Sequence, residues 1–334
     1  MTKYFEHIER SEVHYELYWK NNGREFKETV FASTIASKRE ILSLADKGLS
    51  CNDSNSKHLI EFLDLFIATN DIPKIRMVNR LGKTNKEFIN PLAKNDIHVL
   101  PSDIGEEQLY QAIKKNGTTE DWIKSVFNLV RNHPKAVFPI IASFASVVLH
   151  EFNMKPIVVD ISGSSSSGKS GFLRMCASVW GEPESYIGTF NTTLVAIERR
   201  SAFLNSFPQI LDDSNGVHDV KMIQPLIYQY VNNTGKQRGS INGSQFTDSW
   251  NSLMITSGEN EIVAYVNAQG VSARVLLISN FSLPGESSEL LADIYSSIRE
   301  YYGTIGIEFL KRWSAKREHY LNLYAEVDNQ YKQY

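Results

Sequence analysis

Two short strings in this sequence combine residue types suited to phosphate chemistry. The first is Gly163-Ser164-Ser165-Ser166-Ser167-Gly168-Lys169-Ser170-Gly171, which contains a G-x-x-x-x-G-K-S loop. Its glycines let successive backbone N–H groups turn inward onto phosphate oxygens. Lys169 supplies a cation for the β- and γ-phosphates, and the Ser170 hydroxyl is a ligand for Mg²⁺. The second string is Asp212-Asp213, at the end of the apolar run Phe207-Pro208-Gln209-Ile210-Leu211. A carboxylate there completes the Mg²⁺ shell through water, the role expected of Asp212. Asp213 is then placed to orient or deprotonate an attacking water. Together the two strings predict binding of a nucleotide, ATP, with Mg²⁺ as its metal.

The flanking sequence supplies the elements such a site needs. A β-branched run over 156–162 leads into the loop, and Phe172, Leu173, Met175, Val179 and Trp180 continue from it at helical spacing. Strand, loop and helix in that order give the loop its meaning, and the helix start adds a positive dipole end. A third strand over 250–256 ends in Ser257-Gly258-Glu259-Asn260. Thr256, Ser257 and Asn260 are therefore candidates to contact the γ-phosphate or the attacking water, or they form an ordinary polar strand end. Arg274 precedes a fourth apolar run at 275–279. It is read either as an arginine finger acting across a subunit boundary or as a surface ion-pair partner. Between the acids and the third strand, glycine turns bracket Lys236 and Arg238. This is read as a hairpin whose basic tip grips DNA phosphates, contacts nucleotide or is solvated.

Length and composition limit what surrounds this machinery. The chain has 334 residues, 42% of them hydrophobic, enough for about two domains with a core that needs no metal or disulfide staples. Lys+Arg 35 against Asp+Glu 38 leaves a formal charge of -3, which excludes coating of nucleic acid by bulk attraction. Cys51 and Cys176 lack zinc or disulfide spacing and suit a reducing cytoplasm. The first residues lack a signal-peptide apolar run. The longest apolar stretch, 136–149, is too short for a bilayer and reads as a buried helix, so no membrane association is expected. Zinc-protease spacing, a G-x-S-x-G elbow and a G-x-G-x-x-G fingerprint are all missing.

Upstream, alternation over 13–31 predicts strands around a turn at Asn21-Asn22-Gly23. A helix is expected over 37–47, with Ser37 and Glu40 as a capping box and Gly48 as its stop. Further helices are expected over 58–69, 106–115 and 119–131, with a strand pair within 74–92. Lys74, Arg76, Arg80, Lys83, Lys86 and Lys94 face only Glu87 in that stretch. They are read as a local nucleic-acid contact or a solvated hairpin face.

Longer strings extend the picture: Ser178-Val179-Trp180-Gly181, Asn191-Thr192-Thr193 leading to Ala196-Ile197-Glu198, Leu211-Asp212-Asp213, and Tyr230 through Arg238. Ser257-Gly258-Glu259, Tyr302-Gly303 and Phe309 follow, with Phe88-Ile89-Asn90-Pro91 and the 44–49 segment upstream. On these residues, over about 15–310, the chain resembles the domain of unknown function 927 family, which includes cassette chromosome helicases and replication proteins of staphylococcal mobile elements.

The resemblance implies an α/β fold: an AAA+-like P-loop NTPase with a parallel sheet and flanking helices, preceded by a smaller α+β N-terminal domain. The implied divisions are 1–130 for DNA or partner contact, 131–284 for the ATPase core and 285–334 for a C-terminal helical segment. The implied activity is an ATP-dependent DNA helicase or translocase, similar to MCM-type motors. It would work as a ring, usually a hexamer, with ATP at subunit interfaces, DNA in a central channel and replication proteins as further partners. In that picture Gly163, Gly168, Lys169 and Ser170 hold phosphates and metal, within a loop completed by Ser164–Ser167 and Gly171. Asn260 or Ser257 senses the γ-phosphate, Arg274 acts on the neighbour's nucleotide, and Lys236 and Arg238 face DNA. The family usually has Asp-Glu where this chain has Asp212-Asp213, and the shorter acid favours slower hydrolysis. An ATP-binding assembly or switch module with slow turnover is therefore the alternative. A P-loop small-molecule kinase is a third reading, without a recognisable lid or acceptor pocket.

Overall fold

The computed structural model of the protein describes residues 1–93, 96–214, 220–237, 239–240, 243–244, 246–266, 269–282 and 288–332. The chain divides into two units. The first contains Met1–Asn79, Thr84–Lys86 and Asn95–Leu100; the second contains Arg80–Lys83, Glu87–Lys94 and Pro101–Tyr334. Residues 101–130, grouped with the N-terminal domain by the sequence reading, fall in the second unit.

In the first unit, Asn22 and Gly23 both adopt positive φ, 49° and 78°. That is the backbone a two-residue hairpin requires, and asparagine and glycine tolerate it best. The turn joins β2 (Val13–Asn21) to β3 (Arg24–Phe31), and β1 (Lys3–His7) pairs antiparallel with β2 on its other side. Two parallel additions, β4 (Lys74–Val78) and β5 (Ile97–Val99), complete a sheet of order β3-β2-β1-β4-β5. Helix α1 (Ser56–Thr69) contributes Leu63 to a core with Tyr15, Leu17, Val30, Ile35 and Ile41.

The helix expected over 37–47 is broken. Ser37 caps a short turn, Lys38–Ile41, by accepting from the Glu40 N–H, and Leu42–Lys47 then tightens to a 3-10 turn stopped by Gly48 at φ 83°. The Glu40 carboxylate accepts instead from the Ser33 hydroxyl, at 3.1 Å. The strand pair expected within 74–92 also separates, because β4 joins the first sheet while Gly82–Lys83 and Phe88–Ile89 form their own hairpin.

The second unit is built on five parallel strands: β6 (Val158–Ser162), β7 (Gly188–Thr189), β8 (Gln209–Asp212), β9 (Met254–Gly258) and β10 (Val275–Ile278). Their spatial order is β10-β6-β9-β8-β7. Strand β6 is buried along its whole length, as a central parallel strand covered on both faces must be. Val158, Leu211 and Met254 join Ile197 of α5 (Leu194–Leu204) and Ile223, Ile227 and Tyr230 of α6 (Ile223–Val231) in one core cluster.

Further helices of this unit flank the sheet. They are α2 (Ile104–Ala112), α3 (Pro134–Ser146) and α4 (Lys169–Ser178), with α7 (Ser288–Glu300) packed on α4. Polar links fix α3 against α4: Ser143 Oγ donates to the Cys176 carbonyl at 2.8 Å, and Trp180 Nε1 donates to the Ser143 carbonyl at 3.1 Å. Phe144 packs between Trp122, Trp180 and Phe309 of α8 (Thr304–Ala315). The C-terminal helical stretch breaks at Lys316 and resumes as α9 (Arg317–Tyr331). No helix among the described residues is long and apolar enough to cross a membrane.

Candidate functional site

The G-x-x-x-x-G-K-S loop runs from the end of β6 to the first residue of α4, at the carboxyl edge of the parallel sheet. Its two glycines meet different requirements. Gly168 adopts φ 90°, where a side chain is strained. A Cβ on Gly163 would come within 2.5 Å of the Phe281 carbonyl oxygen, because Phe281 N–H donates to the Ser162 carbonyl at 2.8 Å. Gly171 faces Tyr295 and Leu291 of α7 at ordinary contact distance. Ser164, Ser165 and Ser166 are exposed and Ser167 is half-buried. The Lys169 ammonium lies over the loop, donating to the Gly163 carbonyl at 2.9 Å and the Ser164 carbonyl at 2.6 Å.

The strand order brings the acids to this loop through an intervening strand. Strand β9 lies between β6 and β8, and its end is tied to the loop by Gly163 N–H donating to the Gly258 carbonyl at 3.2 Å. Ser257 therefore stands beside the acids. Its hydroxyl donates to Asp212 Oδ1 at 2.5 Å and accepts from the Asp213 N–H at 3.3 Å. Ser170 Oγ donates to the same Asp212 oxygen at 3.2 Å. A hydroxyl and a carboxylate brought together this way are hard oxygen donors of the kind Mg²⁺ prefers. Asp213 adopts φ 59°, a left-handed backbone that short Asp and Asn side chains tolerate better than most residues.

Gly258 has a local reason of its own. A Cβ there would meet Ser214 Oγ at 2.0 Å, just past the Asp-Asp pair. Gly258→Ala is expected to displace the 212–214 turn and lower the melting temperature by several degrees. Overpacking of this kind costs about 1–3 kcal/mol. A variant with the melting temperature of the parent would show that the close approach is not needed.

The remaining sequence candidates separate. Thr256 is committed to the core, donating to Asp160 Oδ1 at 2.7 Å. The Asn260 amide is exposed just beyond β9 and donates to the Tyr265 hydroxyl at 3.2 Å. Arg274 precedes β10, whose Val275 pairs with Val158, so it stands at the end of the sheet opposite the loop. It donates to Asn232 Oδ1 at 3.2 Å. Lys236 is exposed and leads into the hairpin of Gly239–Ser240 and Gly243–Ser244, whereas Arg238 lies outside the described residues. The basic cluster of 74–94 is divided as well. Lys74 lies over the Tyr4 ring, and Arg76 and Lys86 share a cleft with Arg10 and with Glu6, Glu9 and Glu12. Lys94 lies outside the described residues.

One charged group at the site and one in the core of β6 escaped the sequence reading. Arg174 stands one helical turn beyond Ser170. It donates to the Ser170 carbonyl at 2.9 Å, lies 3.8 Å from Asp212 Oδ2 and pairs with Glu184 through both carboxylate oxygens, at 2.7 and 3.0 Å. That pair raises the Arg174 pKa and lowers that of Glu184. The i, i+4 spacing from Ser170 was the available signal. Asp160 is fully buried in β6, and burial pushes its carboxyl up to about 6 despite hydrogen bonds from Thr256 and the Ile262 N–H. An acid within an apolar strand was its signal.

With the geometry in hand, comparison with known proteins gives the fold a family. A comparison with curated protein sequences finds no match. Among solved structures, the SCCmec type IV Cch active helicase superposes with a TM-score of 0.73 at 18% identity, covering 98% of this chain and 63% of that one. The chain thus shares that protein's fold while spanning less than two thirds of its length. The A form apo structure of the NrS-1 C-terminal region matches with a TM-score of 0.40 at 11% identity, covering 91% of this chain and 65% of that one. The family model described as domain of unknown function (DUF927) matches residues 1–249, and the chain belongs to that family.

Proposed function

We propose that this chain is the Mg²⁺-dependent, ATP-hydrolysing motor of a DNA helicase or translocase. The observation that carries the reading is the meeting of Ser170 and Asp212, at 3.2 Å, beside the lysine-bearing loop. Neither residue binds a metal tightly alone, and only the folded sheet makes them neighbours. Loop backbone and Lys169 bind the nucleotide phosphates, and Ser170 with Asp212 holds Mg²⁺, which neutralises charge on the phosphates when bound. Asp213 orients the attacking water, and Ser257 holds Asp212 in place and is the best-positioned sensor of the γ-phosphate.

The finer assignment is an AAA+-like, MCM-like replicative motor of a mobile genetic element, acting in the cytoplasm as a ring with DNA in its channel. Arg274 faces away from its own loop, which suits a role on the neighbouring subunit's nucleotide. Lys236, which leads into the hairpin, and Arg238 two positions further along the sequence contact DNA phosphates, a local contact compatible with the overall charge of -3.

The test is ATP hydrolysis with and without single-stranded DNA, paired with solution mass in a slowly hydrolysed ATP analogue. DNA-stimulated hydrolysis and a ring-sized mass are expected. Lys236→Ala with Arg238→Ala should remove most of the stimulation while leaving DNA-independent hydrolysis intact. A persistent monomer indifferent to DNA would overturn the motor, and stimulation that survives the double substitution would overturn the hairpin assignment.

A further inference from the structure

A cleft of about 530 Å³ lies along the free edge of the parallel sheet, bounded by β7, α2 and α5. The phosphate-binding loop takes no part in its lining. Arg200 of α5 opens onto this cleft without a counter-ion. Among the described residues its guanidinium donates to the Tyr186 carbonyl, its Nε is buried with no hydrogen-bond partner, and no carboxylate pairs with it.

The other charges in the cleft are compensated. Arg199 pairs with Asp103 at 3.0 Å. Glu106 accepts from the Ser102 N–H at 2.7 Å, and burial pushes its carboxyl up to about 7, so it is only partly ionised near neutral pH. Burial lowers the Arg200 pKa only to about 10, so the guanidinium stays charged. The wall therefore carries a guanidinium with no carboxylate paired to it, and the side chains of Thr189 and Asn191 line the same cleft. A buried cation without a counter-ion is costly in the free protein, and a ligand that supplies the anion removes that cost. The planar guanidinium fork matches phosphate oxygens in geometry.

We propose that this cleft is a second phosphate-binding site, in which Arg200, Thr189 and Asn191 hold a phosphate group. The cleft is several times larger than a phosphate, so the group arrives on a larger body. That body is either a free nucleotide or the backbone of single-stranded DNA.

The experiment uses the full chain carrying Lys169→Ala, which removes the main nucleotide site, with and without Arg200→Met. Binding of a fluorescent oligo-dT and of a fluorescent ADP is followed by anisotropy, and melting temperature is measured with and without each probe. At least one probe is expected to bind the Lys169→Ala protein and to weaken at least tenfold on adding Arg200→Met; the probe that responds identifies the source. Without ligand, Arg200→Met is expected to raise the melting temperature, because it removes an unpaired buried charge. A purely structural arginine would give the opposite sign.

Arg200→Lys keeps the charge and should retain part of the binding, which covers the case of a methionine variant that folds poorly. Two results would overturn the site: neither probe binding the Lys169→Ala protein, or binding indifferent to position 200. Neither bears on the main nucleotide site, which is tested by the loss caused by Lys169→Ala itself.

Discussion

Lys169→Ala is expected to lower ATP hydrolysis by about 10²–10³-fold, the usual effect of removing one preorganised charge from developing transition-state charge. Stability should change far less. In the free protein the Lys169 ammonium holds the Gly163 and Ser164 carbonyls, and Ser164 is exposed, so water can replace much of what is lost. Loss of such hydrogen bonds costs about 1 kcal/mol, which for a chain of this size shifts the melting temperature by about 1–2 °C. Hydrolysis, nucleotide binding and a thermal melt on one preparation separate the two effects. Hydrolysis within twofold of the parent would remove the loop from the mechanism, whereas a collapsed melt would assign the lysine a structural role.

Asp212→Asn should produce a loss of similar size by another route. The amide keeps the carboxylate's shape, and its oxygen can still accept from Ser170 and Ser257, now at 3.2 and 2.5 Å. The negative charge is gone, and with it the attraction for Mg²⁺ and for Arg174 at 3.8 Å. Hydrolysis is expected to fall about 10²-fold or more at saturating Mg²⁺, while nucleotide binding measured in EDTA stays close to that of the parent. Stability should move by no more than about 1 kcal/mol, since the Arg174 pair is partly solvated and Arg174 keeps Glu184 as its partner. The decisive measurement is hydrolysis across a Mg²⁺ titration. An unchanged Mg²⁺ requirement in the variant would place the metal elsewhere.

Much of this site could be read along the chain because its parts are contiguous. A glycine-rich loop between a β-branched run and a helical pattern needs no distant partner to be recognised. The same holds for an acid pair closing a short apolar strand, and for the Asn22-Gly23 turn, where positive φ selects the residue types directly. These signals are local, fixed by backbone sterics and by the alternation or turn period of one element.

Where the elements meet was decided by the tertiary structure. Nothing in the local pattern says that β9 lies between β6 and β8, and that order makes Ser257, rather than Thr256 or Asn260, the partner of Asp212. One residue earlier the side chain points to the opposite face of the strand, which gives Thr256 to buried Asp160. Parallel pairing of Val275 with Val158 puts Arg274 at the end of the sheet opposite the loop of its own chain. The basic stretch at 74–94 looks uncompensated in sequence, and the fold brings Glu6, Glu9 and Glu12 to Arg76 and Lys86.

By itself, then, the sequence determined that this protein carries a G-x-x-x-x-G-K-S loop and an acid pair on α/β elements, because both depend on short-range geometry. Strand order, and with it the meeting of Ser170, Asp212 and Ser257 and the setting of Arg200 at the sheet edge, depended on contacts between residues far apart in the chain. Only packing around a shared core fixes those.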